Sequence, residues 1–157
     1  MLADTGCRIS ELIQLQWKDI DFDNLLITVN GKGDKQRVIP FSFELRKFLY
    51  RLRQNAPKMG ENECPLVFPT RTFNMQRRAN VLRDVEQLCA ELKINTPPRT
   101  LHAFRHSFAI NYLRKGGSVF HLQKSLGHSD LGMTRRYANL LTDDLQAVHP
   151  KVSLLSR

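Results

Sequence analysis

One stretch of strand-like sequence, residues 19–42, sets the main limit on the fold. It is rich in β-branched and aromatic residues and is interrupted at Gly31–Asp34, where two glycines permit the positive φ angles of a tight turn. This pattern predicts antiparallel strands joined by a hairpin that carries Lys32. Helical periods dominate elsewhere, so we predict an α+β fold that is mostly helical and contains a small antiparallel sheet.

Helical periodicity is clear on both sides of this stretch. Near the N-terminus a Thr5–Gly6 turn precedes apolar residues at helical spacing, and Thr5 is the expected cap of that helix. After the sheet, four apolar residues share one helix face: Leu45, Phe48, Leu49 and Leu52. Further helices are predicted over residues 75–92, 101–115 and 118–126 and around Tyr137, with breaks at Pro97–Pro98, Gly116–Gly117 and Gly127.

The charge balance indicates an anionic partner. Lys and Arg number 24 against 15 Asp and Glu, which gives a formal net charge of +9, and nucleic acid is the commonest partner of such a chain. A basic protein whose charges are merely solvated is the alternative. The sequence has no apolar run near the roughly 20 residues that span a bilayer and no signal-peptide pattern, so we expect a cytoplasmic protein without a membrane partner. Three widely spaced cysteines predict neither disulfides nor a zinc knuckle.

The helix predicted to begin at Leu101 carries a titratable side chain and a cation. His102 and Arg105 are three residues apart and therefore share a face, whereas the apolar stripe is expected on Leu101, Phe104, Phe108, Tyr112 and Leu113. Taken alone, this pair is more often a surface contact than a catalytic one. His102 and His106 have a zinc-compatible spacing, but no third ligand accompanies them, so no metal site is predicted.

Four segments, taken together and in this order, resemble the catalytic domain of the tyrosine recombinase (phage integrase) family. They are TGCRISEL, GKGDKQR, HAFRHSFA and LGHSDLGMTRRY, and the resemblance extends from Thr5 to Tyr137. It implies the family's catalytic-domain fold and site-specific DNA recombination, with an origin in a phage or other mobile element. The implied partners are double-stranded DNA bearing a recombination site and the other protomers of a DNA-bound tetramer, so a nucleoid-associated location is expected.

The resemblance assigns a role to each motif residue. Arg8 is the first catalytic arginine and Glu11 its supporting acid. The remaining catalytic positions are the hairpin lysine Lys32, the HxxR pair His102 and Arg105, the late histidine His128 and the nucleophile Tyr137. Other basic residues are candidates for DNA contacts without catalytic roles: Lys35, Arg37, Arg77, Arg78, Arg99 and Arg135.

These residue types suit phosphodiester cleavage. Forked arginine donors can meet the extra negative charge of a pentavalent phosphorane, and lysine lacks that fork. A tyrosine with an ordinary pKa near 10 needs help to attack at pH 7, which His102 can give by moving its proton. In the family a 3′-phosphotyrosine preserves the phosphodiester energy and lysine protonates the leaving 5′ oxygen, so no cofactor is expected.

Two rival functions remain in view. Residues 119–140 are also compatible with a helix-turn-helix, which would make the chain a noncatalytic DNA-binding module and leave Arg8, Lys32 and the HxxR pair unexplained. Type IB topoisomerases share the chemistry, although the GKGDKQR and LGHSDLGMTRRY segments look more like those of integrases.

The resemblance also predicts the domain organisation. Residues 1–157 correspond to a catalytic domain without the family's N-terminal core-binding and arm-binding domains. The apolar tail, residues 141–157, is expected to pack either on its own domain or, in trans, on a neighbouring protomer.

Overall fold

The computed structural model describes residues 1–31, 35–56, 58–59, 62–128, 130, 132–134 and 137, with only the backbone of 58–59 and 62–63. In chain order, these residues form α1 (Leu2–Thr5), α2 (Ile9–Gln14), a 3-10 turn (Trp17–Asp19), β1 (Ile20–Asp21), β2 (Leu26–Asn30), β3 (Gln36–Pro40), α3 (Phe43–Gln54), β4 (Lys58–Met59), β5 (Asn62–Glu63), α4 (Arg78–Glu91), α5 (Thr100–Arg114) and α6 (Val119–Leu126). Residues 132–134 and Tyr137 are helical as well.

The predicted hairpin is formed by β2 and β3. Together with β1 they make an antiparallel sheet in the order β1-β2-β3, in which Ile27 lies opposite Ile39 and Val29 opposite Arg37. The amide of Gly31 donates to the Lys35 carbonyl across the turn, at 2.9 Å. Because directly paired residues share a sheet face, Arg37 lies on the same face as the buried Ile27, Val29 and Ile39. The predicted catalytic residue Lys32 lies outside the described residues.

The main core lies between this sheet and helices α2 and α3. It includes Leu12, Ile27, Ile39 and Leu49, all of which are buried. The prediction that Phe48 belongs to the core face of α3 is wrong, because its side chain is 59% exposed. The buried face is narrow and centres on Leu45 and Leu49, and Phe48 lies about 100° around the helix from Leu49.

Helix α5 joins the main core to a second cluster. Besides Thr100 at its start, its buried positions are Leu101, Arg105 and Ala109, at a spacing of four. The buried stripe therefore runs through the arginine rather than through Phe104 and Phe108, which are half-buried. Ala109 packs with Leu122 and Leu126 of α6, and Tyr137 packs against that cluster. The predicted helix end at Gly116 is confirmed by its φ of 83°, and Gly127 ends α6 in a left-handed conformation.

The predicted capping role of Thr5 is wrong. Thr5 is the last residue of α1, and its hydroxyl donates to the Met1 carbonyl at 3.1 Å. Helix α2 begins after Arg8 instead, and the Glu11 carboxylate accepts the Arg8 amide at 2.7 Å. An acid at this third helical position satisfies an otherwise unpaired amide at the helix start. No helix in the described ranges is long and apolar enough to cross a bilayer.

Candidate active site

The carboxylate of Glu11 joins two arginines from different elements. Its Oε1 accepts from Arg8 Nη1 at 3.0 Å, while Arg37 forms a two-pronged pair with it, Nη1 to Oε1 at 2.7 Å and Nη2 to Oε2 at 2.9 Å. The Glu11 side chain is 2% exposed and that of Arg37 11%, whereas Arg8 is 36% exposed. Arg8 is therefore held at one end and open to solvent at the other.

Glu11 is ionised at neutral pH in this setting. Burial alone would raise the pKa of its carboxyl group, but hydrogen bonds from Arg37 and Arg8 and the positive charge of Arg37 outweigh burial and lower it. A buried carboxylate of this kind is stable only while its donors remain in place.

Arg105 is a buried cation anchored by backbone carbonyl groups. Its Nη1 donates to the Gly6 carbonyl at 2.8 Å and its Nη2 to the Leu126 carbonyl at 2.5 Å. Burial lowers its pKa to about 10, and the nearby positive charges of Arg8 and Arg37 act in the same direction. Arg105 therefore still carries its charge at pH 7, and it sits within the electrostatic range of Arg8, Glu11 and Tyr137.

The C-terminal end of α6 is tied to these arginines. Arg37 Nε donates to the Ser125 carbonyl at 2.8 Å, next to the Leu126 carbonyl that Arg105 binds. The last carbonyls of a helix have no partner within it, so the two arginines satisfy groups that would otherwise need water. Gly127 follows with a φ of 64°, and a Cβ there would lie 2.9 Å from Arg37 Cδ. This close approach places His128 directly beyond the arginine cluster.

His128 is neutral at pH 7. Burial lowers the pKa of its imidazole to about 4, and the positive charges of Arg105, Arg8 and Arg37 act in the same direction. Its Nδ1 lies 2.9 Å from the hydroxyl of Thr134, which is fully buried. If that hydroxyl donates to Nδ1, the proton of the neutral ring is on Nε2, where it can be donated to an anion.

The ring of Tyr137 lies between two imidazoles. Its centroid is 6.3 Å from that of His128, with the planes 8° apart, and 5.3 Å from that of His106, with the planes 50° apart. Tyr137 is half-buried against the α5–α6 cluster, so the aromatic ring is fixed by packing while access to it remains. The phenol is thus within reach of the field of Arg105.

The structure brings together five of the residues singled out in the sequence: Arg8, Glu11, Arg105, His128 and Tyr137. His102 lies one turn before Arg105 on α5 and is exposed. Lys32 and Arg135 lie outside the described residues. The DNA-contact candidates Lys35, Arg77, Arg78 and Arg99 are exposed.

Three residues of this site are not predicted by the sequence to belong to it. Arg37 is expected there only as a DNA contact, His106 only as half of a zinc spacing, and Thr134 has no expected role. The strand period does carry a signal for Arg37, because it lies two residues before the buried Ile39 and hence on the same face. Among the described residues, no three His, Cys, Asp or Glu side chains converge in a way that could hold a metal ion.

The arrangement gives a fixed concentration of positive charge next to a tyrosine and a neutral imidazole. Such a site can bind a tetrahedral or pentavalent anion without reorganisation. It is suited to nucleophilic attack by tyrosine on a phosphate group.

Comparisons with known proteins agree with this chemistry. The chain matches the model of the phage integrase family over residues 1–143. Tyrosine recombinase XerD of Vibrio vulnificus (strain YJ016) is 29% identical over 151 residues, which cover 95% of this chain and 50% of that protein.

Solved structures show the same fold. The XerA recombinase has a TM-score of 0.79 at 29% identity, over 96% of this chain and 54% of XerA. The XerH recombinase in a post-cleavage complex with palindromic difH has a TM-score of 0.76 at 27% identity, over 94% of this chain and 43% of XerH. The chain spans about half the length of the curated relatives it matches. The predicted α+β recombinase fold is confirmed, and the chain belongs to the phage integrase family.

Proposed function

We propose that the chain is the catalytic domain of a site-specific recombinase that breaks and rejoins DNA through a 3′-phosphotyrosine at Tyr137. The observation that carries this proposal is that Arg105 and His128 lie beside Tyr137, with Arg8 within electrostatic range of both, although these residues come from three separate segments of the sequence. A noncatalytic DNA-binding module has no need for a buried arginine beside a tyrosine, and membership of the family supports the enzymatic function.

In the proposed reaction the Tyr137 oxygen attacks the scissile phosphorus. A bond forms between that oxygen and phosphorus while the bond from phosphorus to the 5′ oxygen breaks. Arg8 donates through Nη1 to Glu11. The rest of its guanidinium is open to solvent and can bind a nonbridging oxygen of the scissile phosphate. Each terminal nitrogen of Arg105 carries a second hydrogen besides the one given to a backbone carbonyl, and His128 Nε2 supplies a further donor.

Two proton transfers complete the step. The phenolic proton passes to His102, which we assign as the base on the strength of its place one turn before Arg105. The leaving 5′ oxygen receives a proton from Lys32, in accordance with the family resemblance. A 5′ hydroxyl of a second strand then attacks the phosphotyrosine and releases Tyr137, in the reverse of the cleavage steps. No external energy source is consumed.

The proposed partner is double-stranded DNA. XerH is solved with its difH substrate, which supports the same class of ligand for this chain. Exposed arginines flank α4 and α5, and Arg78 and Arg99 line a cleft of about 400 Å³ between these helices. We propose phosphate contacts there and at Lys35, as well as at Arg77 and Arg135. The donors of Arg37, the remaining DNA-contact candidate, are committed to Glu11 and Ser125, so we propose no phosphate contact for it.

The proposal extends to the assembly. We assign residues 1–157 to a catalytic domain that works with DNA-clamping domains and with other protomers in a DNA-bound tetramer, in the cytoplasm at the nucleoid. The tail, residues 141–157, lies outside the described residues, and its packing in cis or in trans stays a prediction. An origin in a phage or other mobile element likewise stays a prediction.

The test begins with the DNA site. Duplexes that the protein binds are selected from a random pool, and a nicked version of the selected site is incubated with the protein and run on a denaturing gel. A covalent adduct supports the proposal, whereas sequence-specific binding without an adduct supports the helix-turn-helix module. Relaxation of supercoiled DNA that lacks the site would instead favour a type IB topoisomerase.

A further inference from the structure

Arg37 lies half-buried between three parts of the candidate active site. It pairs through two nitrogens with Glu11, donates through the third to the Ser125 carbonyl, and lies in close contact with Gly127. All three guanidinium nitrogens are thus engaged, and the side chain is 11% exposed. A residue used for phosphate contacts would present these donors to solvent instead.

These contacts of Arg37 lead to two different catalytic groups. Through Glu11, Arg37 fixes the carboxylate that holds Arg8 Nη1. Through Ser125 and Gly127, it fixes the turn from which His128 projects. Arg37 is carried by β3, where it is paired with the buried Val29 of the central strand β2.

We propose that Arg37 is a positioning residue that sets Arg8 and His128 relative to each other, rather than a DNA contact. This inference rests on the proposed function. This positioning role needs a planar guanidinium. A lysine ammonium group cannot form a two-pronged pair with Glu11 and donate to the Ser125 carbonyl at the same time. The substrate does not touch Arg37, so its removal should change the chemical step and leave DNA affinity nearly unchanged.

The charges around Glu11 lead to a second prediction, which concerns the pH dependence of cleavage. Its carboxylate faces Arg8 just before α2, Arg37 on β3 and Arg105 on α5, with the Cys7 thiol nearby. Arg37→Met removes its strongest partner while burial remains, so protonation of Glu11 should move to higher pH. Protonated Glu11 no longer holds Arg8 as an ion pair. Cleavage by Arg37→Met should therefore acquire a second acid limb, in addition to the one that the proposed base His102 gives to every variant.

The test compares Arg37→Lys and Arg37→Met with a control, Lys47→Gln, which removes an exposed charge on α3 outside the candidate active site. Three quantities are measured on the selected site: the rate of adduct formation at saturating DNA between pH 5 and 8, the affinity with its salt dependence, and the folded fraction. We expect about a 10- to 100-fold lower rate for both Arg37 variants, with unchanged affinity and salt dependence. The control should match the wild type in all three quantities.

The acid limb that comes from protonation of Glu11 is the decisive result of this test. It should appear in Arg37→Met and disappear in the double variant Arg37→Met with Glu11→Gln, which has no carboxylate left to protonate. Loss of rate in proportion to the folded fraction, with no new acid limb, would overturn the inference in favour of a merely structural arginine. Lower affinity and salt dependence with a normal rate would overturn it in favour of a phosphate contact.

Failure of the proposed function has its own outcome. If the wild-type chain forms no adduct on its selected site, the recombinase proposal falls and this inference with it. If the wild type forms an adduct and the Arg37 variants match it at every pH, only the positioning role of Arg37 is overturned.

Discussion

The rings of His128 and Tyr137 lie almost parallel, with their planes 8° apart and their centroids separated by 6.3 Å. The same imidazole is held by Thr134, whose hydroxyl is 2.9 Å from Nδ1. The fully buried Thr134 hydroxyl therefore sets the orientation of the His128 ring relative to the proposed nucleophile. Substitutions at Thr134 should change the rate of attack on the phosphate.

Thr134→Val removes that hydroxyl while keeping the shape of the side chain. One hydrogen bond contributes about 0.5–1.5 kcal/mol, so we expect adduct formation to slow by about 2- to 10-fold and the free energy of unfolding to fall by about 1 kcal/mol. Thr134→Ser, which keeps the donor, should stay near the wild-type rate. Equal rates for the two variants in a single-turnover assay would show that the hydroxyl does not orient His128.

His128 should contribute an acid-sensitive part of the stability. Burial, followed by Arg105, Arg8 and Arg37, lowers its pKa to about 4 from an ordinary 6.5. Between these values the unfolded chain binds the proton and the folded chain does not, so the free energy of unfolding falls as pH drops through this window. Urea unfolding at several pH values should show a weaker decline from pH 6.5 to 4 for His128→Gln. Identical declines would contradict the neutral, buried imidazole.

The neighbourhood of Gly6 should tolerate no side chain. Gly6 has a φ of 62°, its carbonyl accepts from Arg105 at 2.8 Å, and a Cβ there would overlap the ring of Phe108. Gly116 is a matched control, because its φ is 83° and nothing lies within 4 Å of a Cβ.

Both alanine variants incur the left-handed backbone penalty of about 1–2 kcal/mol. Gly6→Ala should lose about 1–3 kcal/mol more through overpacking and should also lose adduct formation, as the anchor of Arg105 shifts. Thermal unfolding together with the adduct assay checks both. Equal losses of stability at Gly6 and Gly116 would refute the close approach of Phe108.

The exposed arginines at the starts of α4 and α5 should act through phosphate charge. Replacing Arg77 or Arg99 by Gln should weaken binding to all duplexes alike and reduce the slope of log affinity against log salt by about 1 for each phosphate that is no longer neutralised. Lys47→Gln serves as control, since Lys47 is exposed on α3 and paired with Glu44 at 2.9 Å. A slope unchanged from that of the control would remove these positions from the DNA surface.

Local rules were enough to predict the longer helices and the three-stranded sheet from the sequence, but not α1 or the short β4–β5 pair. The strands of the hairpin were predicted from β-branched runs, and the end of α6 from Gly127, whose left-handed conformation any other residue would resist. Phe48 shows where such rules stop. Helical spacing places it beside the core face, but only the packing of α3 on the sheet decides how wide that face is.

The candidate active site was likewise predicted only in part. The motif residues are recognisable because chemistry restricts their types, whereas the groups that hold them depend on distant pairings. Arg37 meets Glu11 across 26 positions and Ser125 across 88, and no local pattern encodes either pairing. An arginine in a strand usually faces solvent. Arg37 instead lies on the buried face of the sheet, where its pairing with the Glu11 carboxylate offsets the cost of desolvating its charge.

The identity of the residue joined to DNA decides whether Tyr137 is the nucleophile. The adduct formed on the nicked site is digested with nuclease and protease, and the peptide that retains nucleotides is sequenced by mass spectrometry. The chain has three tyrosines, Tyr50, Tyr112 and Tyr137. We predict a 3′-phosphonucleotide on Tyr137 alone and its absence in a Tyr137→Phe protein that still binds the site. Nucleotides on Tyr50, Tyr112 or a non-tyrosine residue, or an adduct that survives in Tyr137→Phe, would contradict the proposed mechanism.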